Sequence, residues 1–510
     1  MSFYLGFVCA LLAFAYRPAL WTEITLLCLT ITAVITPVFF GSKLIYWVFV
    51  YPFYRSPLRN LPGPSDNTFF LGQSTKFLKV SWLPYLFVEW SKIWPDAPFI
   101  RYLNFANSET LLASNVVAYR EILQTKAKLF VKPAFARTFA HEIIGDGLPF
   151  VEGAIHKLRR AVMTRPFLVQ CLRRNIDAIQ SKASQLGDIL GHKVGPGCAV
   201  IDMLDVICIE TLSVDLNHVE SDVSPLYMAF SKTMQPTTLG HLINYINSII
   251  PIRKYLPMKE AREFRRYYDE ARIFVRLFVT SRLEGIKVGE EDLPNDALQG
   301  LVSHTDSNWN IDAIVESVIN LLVLGHDTTA CSITWAIHEL SKRQYIQQRI
   351  RSEILNLRHA GASVEKGQYL QSFVMEVLRH HCAVPMAPRE AIVDMEIAGT
   401  FIPQGTVIQL SPAIVNLHPS IWGEDAQEFN PDRWLAKEGP HKNKFAFETF
   451  HNGPRMCIGK NLTIIEMKIM LAELVSRFQI DAYHTGPIEI ASPSFTLRPK
   501  EKLLVHLRKL

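Results

Sequence analysis

The 510-residue chain is 49% hydrophobic and 20% charged, with a formal net charge of +5. That apolar content fills a large core, and a modest, dispersed charge leaves nucleic acid without an electrostatic footprint. The eight cysteines are sparse and irregular, and no CxxC pair occurs. This excludes a disulfide scaffold or a zinc site and fits a reducing compartment.

The chain begins with two apolar runs. Residues 1–16 (MSFYLGFVCALLAFAY) carry no charged side chain, and Ile24 to Ser42 form a second uncharged run of 19 residues. A spanning helix needs about 20 apolar residues, so 24–42 is the better span. Arg55 and Arg59 follow just past the apolar zone, which directs the rest of the chain to the cytosolic side. Tyrosines and a tryptophan at 45–54 suit a membrane interface. The competing expectation is a signal peptide cleaved after Ala13-Phe14-Ala15. Its start lacks positive charge, and cleavage leaves the second run as an anchor. Leu61–Pro64 (LPGP) breaks helix and strand alike. Residues 1–60 are therefore expected to be an anchor and hinge, and 61–510 one large domain. No Gly/Ser linker or repeat divides it after residue 65.

Helical patterns dominate residues 80–390. The clearest begins near Asn310, with Ile311, Ile314, Val315, Val318 and Leu322 at helical spacing. Beyond Val318 the pattern is apolar nearly all round, which marks a helix crossing the interior. It contains no proline for over thirty residues and would span roughly 45–50 Å. Strand-like segments appear late and short, at Ala391–Ile397, Thr406–Leu410 and Phe495–Val505. The expected fold is mainly α with small β-sheets.

One cysteine has an unusual setting. Cys457 lies in FHNGPRMCIG, between Gly453 and Gly459, two residues after Arg455 and seven after Phe450. Thiolate is a strong, soft ligand for iron, and through haem iron it favours O–O cleavage. Such a site needs backbone N–H groups near sulfur, glycines for close approach to a flat macrocycle, and a cation for the propionates. It also needs an aromatic shield. The loop supplies each. A helix from Asn461 to Phe478 is expected to follow, its N-terminal dipole steadying the thiolate.

The pattern F-x-x-G-x-R-x-C-x-G resembles the haem-binding signature of the cytochrome P-450 superfamily. Other segments resemble further motifs of that family. Glu376-Val377-Leu378-Arg379 is similar to its E-x-x-R, with both charges on one helix face. Pro431-Asp432-Arg433-Trp434 is similar to its P-E-R-F, with Asp432 and Trp434 as departures. The resemblance implies a buried network of Glu376, Arg379 and Arg433. Arg389 matches an arginine that reaches a haem propionate. His156 and Arg160, at i and i+4, resemble the tryptophan–arginine pair of the propionate-binding helix. Gly325-His326-Asp327-Thr328-Thr329 resembles the oxygen-activation segment, with Leu324 where the family has alanine or glycine. A hydroxyl at 328 bonding back to the preceding turn is the plainer alternative.

The resemblance covers nearly the whole chain and implies the cytochrome P-450 fold. It also implies a membrane-anchored monooxygenase of the endoplasmic reticulum that contains haem b, facing the cytosol. Cys457 would hold the iron. Phe450 would shield the sulfur, and His156, Arg160, Arg389 and Arg455 would meet the propionates. Asp327 and Thr328 would be the catalytic proton donors. The substrate would be a hydrophobic small molecule, a terpenoid or polyketide intermediate of specialised metabolism in fungal style. Its pocket would be built by residues 130–150, 220–250 and Ala383–Pro388. The chain has no nucleotide fingerprint, so NADPH electrons would come through a separate cytochrome P-450 reductase, with cytochrome b5 as a second donor. A basic helix, Lys157–Arg174, with Lys157, Arg159, Arg160, Arg165, Arg173 and Arg174, would suit an acidic reductase. Two alternatives stay open: a haem-thiolate isomerase or dehydratase, against which Asp327-Thr328 speaks, and a haem-binding sensor without turnover.

Overall fold

A computed structural model describes residues 18–80, 82–138, 145, 147–173, 176–192, 196–199, 243, 255, 258–288, 296–303, 310–483, 486–491 and 496–510. Its longer helices are α1 (Pro18–Ile45), α2 (Leu83–Ile93), α3 (Gly153–Thr164), α4 (Ile176–His192) and α5 (Lys259–Val288). They continue with α6 (Ile311–Lys342), α7 (Gln344–His359), α8 (Gln368–His380) and α9 (Lys460–Arg477). The strands are β1 (Phe99–Leu103), β2 (Glu109–Ala113), β3 (Phe130–Val131), β4 (Pro196–Ala199) and β5 (Ala387–Ala391). They continue with β6 (Met395–Ile397), β7 (Thr400–Ile402), β8 (Val407–Leu410), β9 (Phe478–Ala482) and β10 (Leu504–Lys509).

Asn310 starts the interior helix. Its Oδ1 accepts the Ala313 N–H at 2.8 Å, satisfying a free donor of the first turn. Helix α6 then runs 32 residues, about 48 Å. Ile314, Val315, Val318 and Leu322 are buried, as the periodicity requires. Helices α7, α8 and α9 pack around it. Helix α9 ends one residue earlier than expected, because Phe478 opens β9.

The sheets begin earlier than the sequence patterns suggest. Strands β1 and β2 pair antiparallel, and β2 pairs parallel with β8. The order β1-β2-β8-β5-β3 makes a five-stranded sheet, with a second sheet ordered β4-β10-β9. Most residues of β1 and β2 are buried on both faces. Burial of both faces erases the polar–apolar alternation that identifies a strand. The expected strand Ala391–Ile397 is two, β5 and β6. Between them Asp394 turns its Oδ1 to the Gln404 N–H at 2.7 Å. The basic helix expected over Lys157–Arg174 is also broken. Helix α3 ends at Thr164 and helix resumes at Val169–Leu172. Pro166 lacks an N–H, so it cannot continue the helical hydrogen-bond ladder past Arg165. Arg174 lies outside the described residues, as do residues 1–17 and all of 220–250 except Ile243.

At the N-terminus α1 continues as a π-helical segment, Tyr46–Arg55. Among the described residues, Ile31–Arg55 is long and apolar enough to cross a membrane. Most of its side chains face outward.

A buried charge network ties α8 to the segment before the cysteine loop. Glu376 and Arg379 are fully buried. Arg379 Nη2 and Nε donate to Glu376 Oε1 and Oε2 at 2.8 and 2.9 Å. Arg433 Nε donates to Oε1 at 3.0 Å, and the Asn430 N–H does so at 2.8 Å. Trp434 Nε1 donates to Oε2 at 2.8 Å. The departure from phenylalanine thus adds a donor. Burial alone would raise the Glu376 carboxyl, but the hydrogen bond and charge of Arg379, with His380 and Asn430, hold it below its usual value. Arg379 spends its remaining donors on the carbonyls of Asn416, Ala426 and Glu428.

Removing one partner from such a network strands a buried charge, at a cost of about 3–5 kcal/mol. Arg433→Ala should therefore lower the urea midpoint sharply. Trp434→Phe removes one hydrogen bond to a charged group and should cost about 1–3 kcal/mol. Midpoints equal to the parent chain's would remove these residues from the fold's support.

Candidate functional site

The cysteine loop is shaped by one glycine above all. Gly453 has φ +71°, and a Cβ there would lie 1.9 Å from the Leu123 carbonyl oxygen. Both facts demand glycine. The loop then returns, with the Cys457 N–H donating to the Phe450 carbonyl at 2.9 Å. Phe450 is buried beside Phe447, ring centres 6.2 Å apart. Among the described cysteines Cys457 is exposed, whereas Cys331 and Cys382 are buried and Cys171 is intermediate. Protein still surrounds the sulfur deeply, and this burial pushes the thiol up. The Gly459 N–H, the Arg160 charge and the Lys460 N–H pull it back down. Helix α9 begins at Lys460, so its free N–H groups face the sulfur.

A second buried group supports the loop from behind. Glu448 accepts from Asn452 Nδ2 at 2.9 Å through Oε1, and its N–H donates to Asn416 Oδ1 at 2.9 Å. Among the described residues its Oε2 has no partner. Burial pushes this carboxyl up to about 8, against a small downward pull from Asn452.

Five basic side chains gather near the loop. His156 and Arg160 come from α3, Arg389 from β5 and Arg455 from the loop itself. The fifth, Lys132, follows β3. Burial presses Lys132 well below the usual lysine range, and Arg389 and Arg455 add to this. His156 falls to about 4 through burial, then Arg160 and Lys132, so it is neutral at pH 7. Arg389 and Arg455 are each lowered by burial to about 10. Arg455 donates to the Val151 carbonyl at 2.7 Å and pairs with Glu152. Lys132 donates to the Pro149 carbonyl. Among the described residues Arg389 Nη1 donates to its neighbour Pro388, at 2.9 Å. His451, at φ +55°, is held to about 3 by burial, Arg389 and Lys132. Its buried Nε2 has no partner among the described residues.

This donor set fits a haem. An exposed thiol stands at a glycine-shaped loop. Beside it is a surplus of buried positive charge, with an orphaned ring nitrogen, suited to two propionates. Cys457 would ligate the iron, while Arg160, Arg389, Arg455, His156, Lys132 and His451 would face the carboxylates. Sequence reasoning missed Lys132 and His451. Lys132 carries no motif of its own. His451 stood inside the quoted loop, but its backbone at φ +55° is a property of the folded loop that no sequence pattern announces.

Over the middle of α6 the acid and alcohol have defined partners. Arg498 Nη2 donates to Asp327 Oδ1 and Oδ2 at 2.8 and 3.0 Å, and Thr496 Oγ1 donates to Oδ2 at 2.7 Å. Thr328 Oγ1 donates back to the Leu324 carbonyl at 2.7 Å. Between Thr496 and Arg498, the Leu497 carbonyl accepts from Cys331 Sγ at 2.9 Å and Trp335 Nε1 at 2.5 Å, both on α6. The Leu497 N–H donates to the Ala383 carbonyl at 2.9 Å. The C-terminal segment is thus fastened to α6 and to Ala383, at the start of an expected pocket segment. Arg498 and Thr496 carried no sequence signal, because they lie far along the chain from Asp327.

A thiol-bearing loop, a buried Glu–Arg–Arg network and an acid–alcohol pair in a long interior helix together suit a haem-iron protein. A family model for Cytochrome P450 matches residues 100–506. The chain is 28% identical to cytochrome P450 monooxygenase sphH of Aspergillus fumigatus, over 91% of this chain and 90% of that one. It is 27% identical to cytochrome P450 monooxygenase FUM15 of Gibberella moniliformis, over 86% and 85%. It is likewise 27% identical to cytochrome P450 monooxygenase FSL4 of Gibberella zeae, over 92% of each chain. The chain belongs to the cytochrome P450 family, a family of haem-iron oxidoreductases.

Cys457→Ser should abolish the thiolate-type reduced carbon-monoxide spectrum, since an alcohol rarely ionises. A retained red-shifted band would exclude Cys457 as ligand. Glu448 generates a pH prediction. Its folded value lies above the unfolded one, so its stabilising contribution is complete below pH 4.5 and is lost as pH rises through about 8. Glu448→Gln keeps the acceptor for Asn452 and removes the ionisation. The variant should be more stable than the parent at pH 8 and similar at pH 5, measured by thermal melts. The same difference at both pH values would contradict a buried neutral carboxyl.

Proposed function

We propose that this chain is a monooxygenase that inserts one oxygen atom from dioxygen into a hydrophobic small molecule. A terpenoid or polyketide intermediate of specialised metabolism is the substrate class. The observation that carries the reading is the Asp327–Thr328 pair in α6, with Asp327 held by Thr496 and Arg498. An isomerase or a haem sensor has no use for such an acid–alcohol pair. The similar proteins, named as monooxygenases, agree with the reaction class.

The haem would supply dioxygen reduction and oxygen transfer. The balance is one dioxygen, two electrons and two protons, giving an oxygenated substrate and one water. Within the protein, Phe450 packs behind the loop that presents Cys457. Thr496 Oγ1 and Arg498 Nη2 hold the Asp327 carboxylate in place by hydrogen bonds. Thr328 then holds a proton at Oγ1, after its hydroxyl leaves the Leu324 carbonyl. Apolar Leu324, Ala383 and Leu497, all packed on the main core, favour an apolar substrate. Electrons come from NADPH through a separate reductase, with cytochrome b5 as a second donor. The exposed Lys157, Arg165 and Arg173 offer it a basic surface. The apolar N-terminal helix supports a membrane anchor, and the endoplasmic reticulum, with the enzyme facing the cytosol, is the location we propose.

The test is co-expression with a fungal reductase in a host making candidate scaffolds, read by mass spectrometry. A product that appears only with the reductase supports the reading, whereas turnover without it favours the isomerase. Thr328→Ala then tests the mechanism. A positioned proton donor contributes about 10²–10⁴-fold, and an ordered water in its place should bring the loss to about 10²-fold. NADPH use should continue, hydrogen peroxide should rise and product should fall, with haem loading intact. Unchanged product per NADPH would remove Thr328 from the path.

A further inference from the structure

One carboxyl braces the cysteine loop from behind. Glu448 is fully buried. Its Oε1 accepts from Asn452 Nδ2 at 2.9 Å, and the same amide donates to the Lys444 carbonyl at 2.8 Å. The Glu448 carbonyl accepts the His451 N–H at 2.9 Å. Asn452 directly precedes Gly453, whose positive φ and close seat on the Leu123 carbonyl start the turn to Cys457. Side chain and backbone of Glu448 thus fix the bend from which that turn departs. Among the described residues its Oε2 has no partner, and Glu448 forms no salt bridge.

The groups that face it supply no positive charge. Tyr119, in the helix Val116–Arg120, is held well above its usual value by burial, so it is neutral. Burial also pushes Cys382, just past α8, up to about 12. On the loop itself, burial holds His451 to about 3. Asn416 accepts the Glu448 N–H and is uncharged. Arg379, on α8, spends its charge on Glu376. Lys444 turns its carbonyl to Asn452, whereas its ammonium lies over the Phe445 ring, 5.0 Å from the centre. The neutral acid is the form this setting accepts. An ionised one favours any movement that brings Oε2 to water. Asn452 is the side chain that would yield, and the Gly453 turn with it.

We infer that Glu448 is a protonation-dependent latch of the cysteine loop: the neutral acid holds Asn452 and the Gly453 turn in place, and loss of its proton to solvent frees the loop that presents Cys457, without unfolding the domain. Glu448 is a positioning residue, acting on the ligand through Asn452. This rests on Cys457 holding the iron of a bound haem. In an opened loop the hydrated carboxyl ionises near its ordinary 4.5, and in the closed loop only near about 8. Closure is therefore most favoured below pH 4.5. It weakens by up to about tenfold per pH unit as pH rises towards 8, and changes little beyond it.

The experiment uses the full haem-loaded chain at one low urea concentration, from pH 6 to 9. The reduced carbon-monoxide spectrum gives the ratio of thiolate-bound to thiolate-free haem, and far-ultraviolet circular dichroism reports the helices. In the parent the ratio should fall steeply from pH 6 to 8 and level off above it, while the helical signal stays constant. Glu448→Gln keeps the acceptor for Asn452 and cannot ionise, so its ratio should not change with pH. Glu448→Asp keeps an ionisable group and should keep the fall. A second measurement needs no variant. Infrared difference spectra of the parent should show a protonated carboxyl losing its proton in step with the thiolate band. A parental fall retained in Glu448→Gln would overturn the latch. So would a ratio that drops only together with the helical signal, or a conversion without the infrared carboxyl change. A parent that lacks the thiolate band even at pH 6 would overturn the ligand reading, and the latch with it.

Discussion

The structure depends on one buried carboxylate. Glu376, itself fully buried with Arg379, receives hydrogen bonds from Arg379, Arg433, Trp434 and the Asn430 backbone. An unpaired charge at that depth would be untenable, so each partner is required by the others. The constraint then propagates. Arg379 gathers the carbonyls of Asn416, Ala426 and Glu428. Asn416 Nδ2 reaches Thr449 Oγ1 at 2.9 Å, and Thr449 Oγ1 donates to the Leu378 carbonyl at 2.7 Å. Thr449 is the residue before Phe450, where the cysteine loop begins. A charge network on α8 thus fixes where Cys457 stands.

The site contains two kinds of stored electrostatic tension. Behind the loop, Glu448 is buried where ionisation is disfavoured. Beside it, Lys132, Arg389 and Arg455 repel one another with Glu152 as the carboxylate that pairs with Arg455. Such crowding of like charge is costly in an interior unless an anion joins it. It is understandable as a cradle prepared for a dianionic cofactor. Over α6 the arrangement is the reverse, because Asp327 is fully partnered by Arg498 and Thr496. Near the loop cations crowd one another, whereas over α6 the acid is held by its own partners.

Much of this was legible in the sequence, and the reasons differ by element. Helix α6 was readable because an asparagine cap and a long apolar period announce it. The Glu376–Arg379 pair was readable because i, i+3 spacing places both on one face. Strands β1 and β2 were hidden because burial on both faces removed their alternation. Trp434 was seen as a departure, but its donor role needed the position of Glu376 in space. Lys132 and Arg498 act across long sequence separations and carry no local pattern. His451 was within the quoted loop, but its positive φ is a property of the folded loop. The break at Pro166 was legible and was overlooked in favour of the run of basic residues.

The central claim is that this framework delivers Cys457 as a thiolate to haem iron. Iron X-ray absorption on the purified, haem-loaded parent chain tests it most directly. The account predicts a single sulfur scatterer bound to iron together with the ring nitrogens. An iron shell of nitrogen and oxygen alone would contradict it.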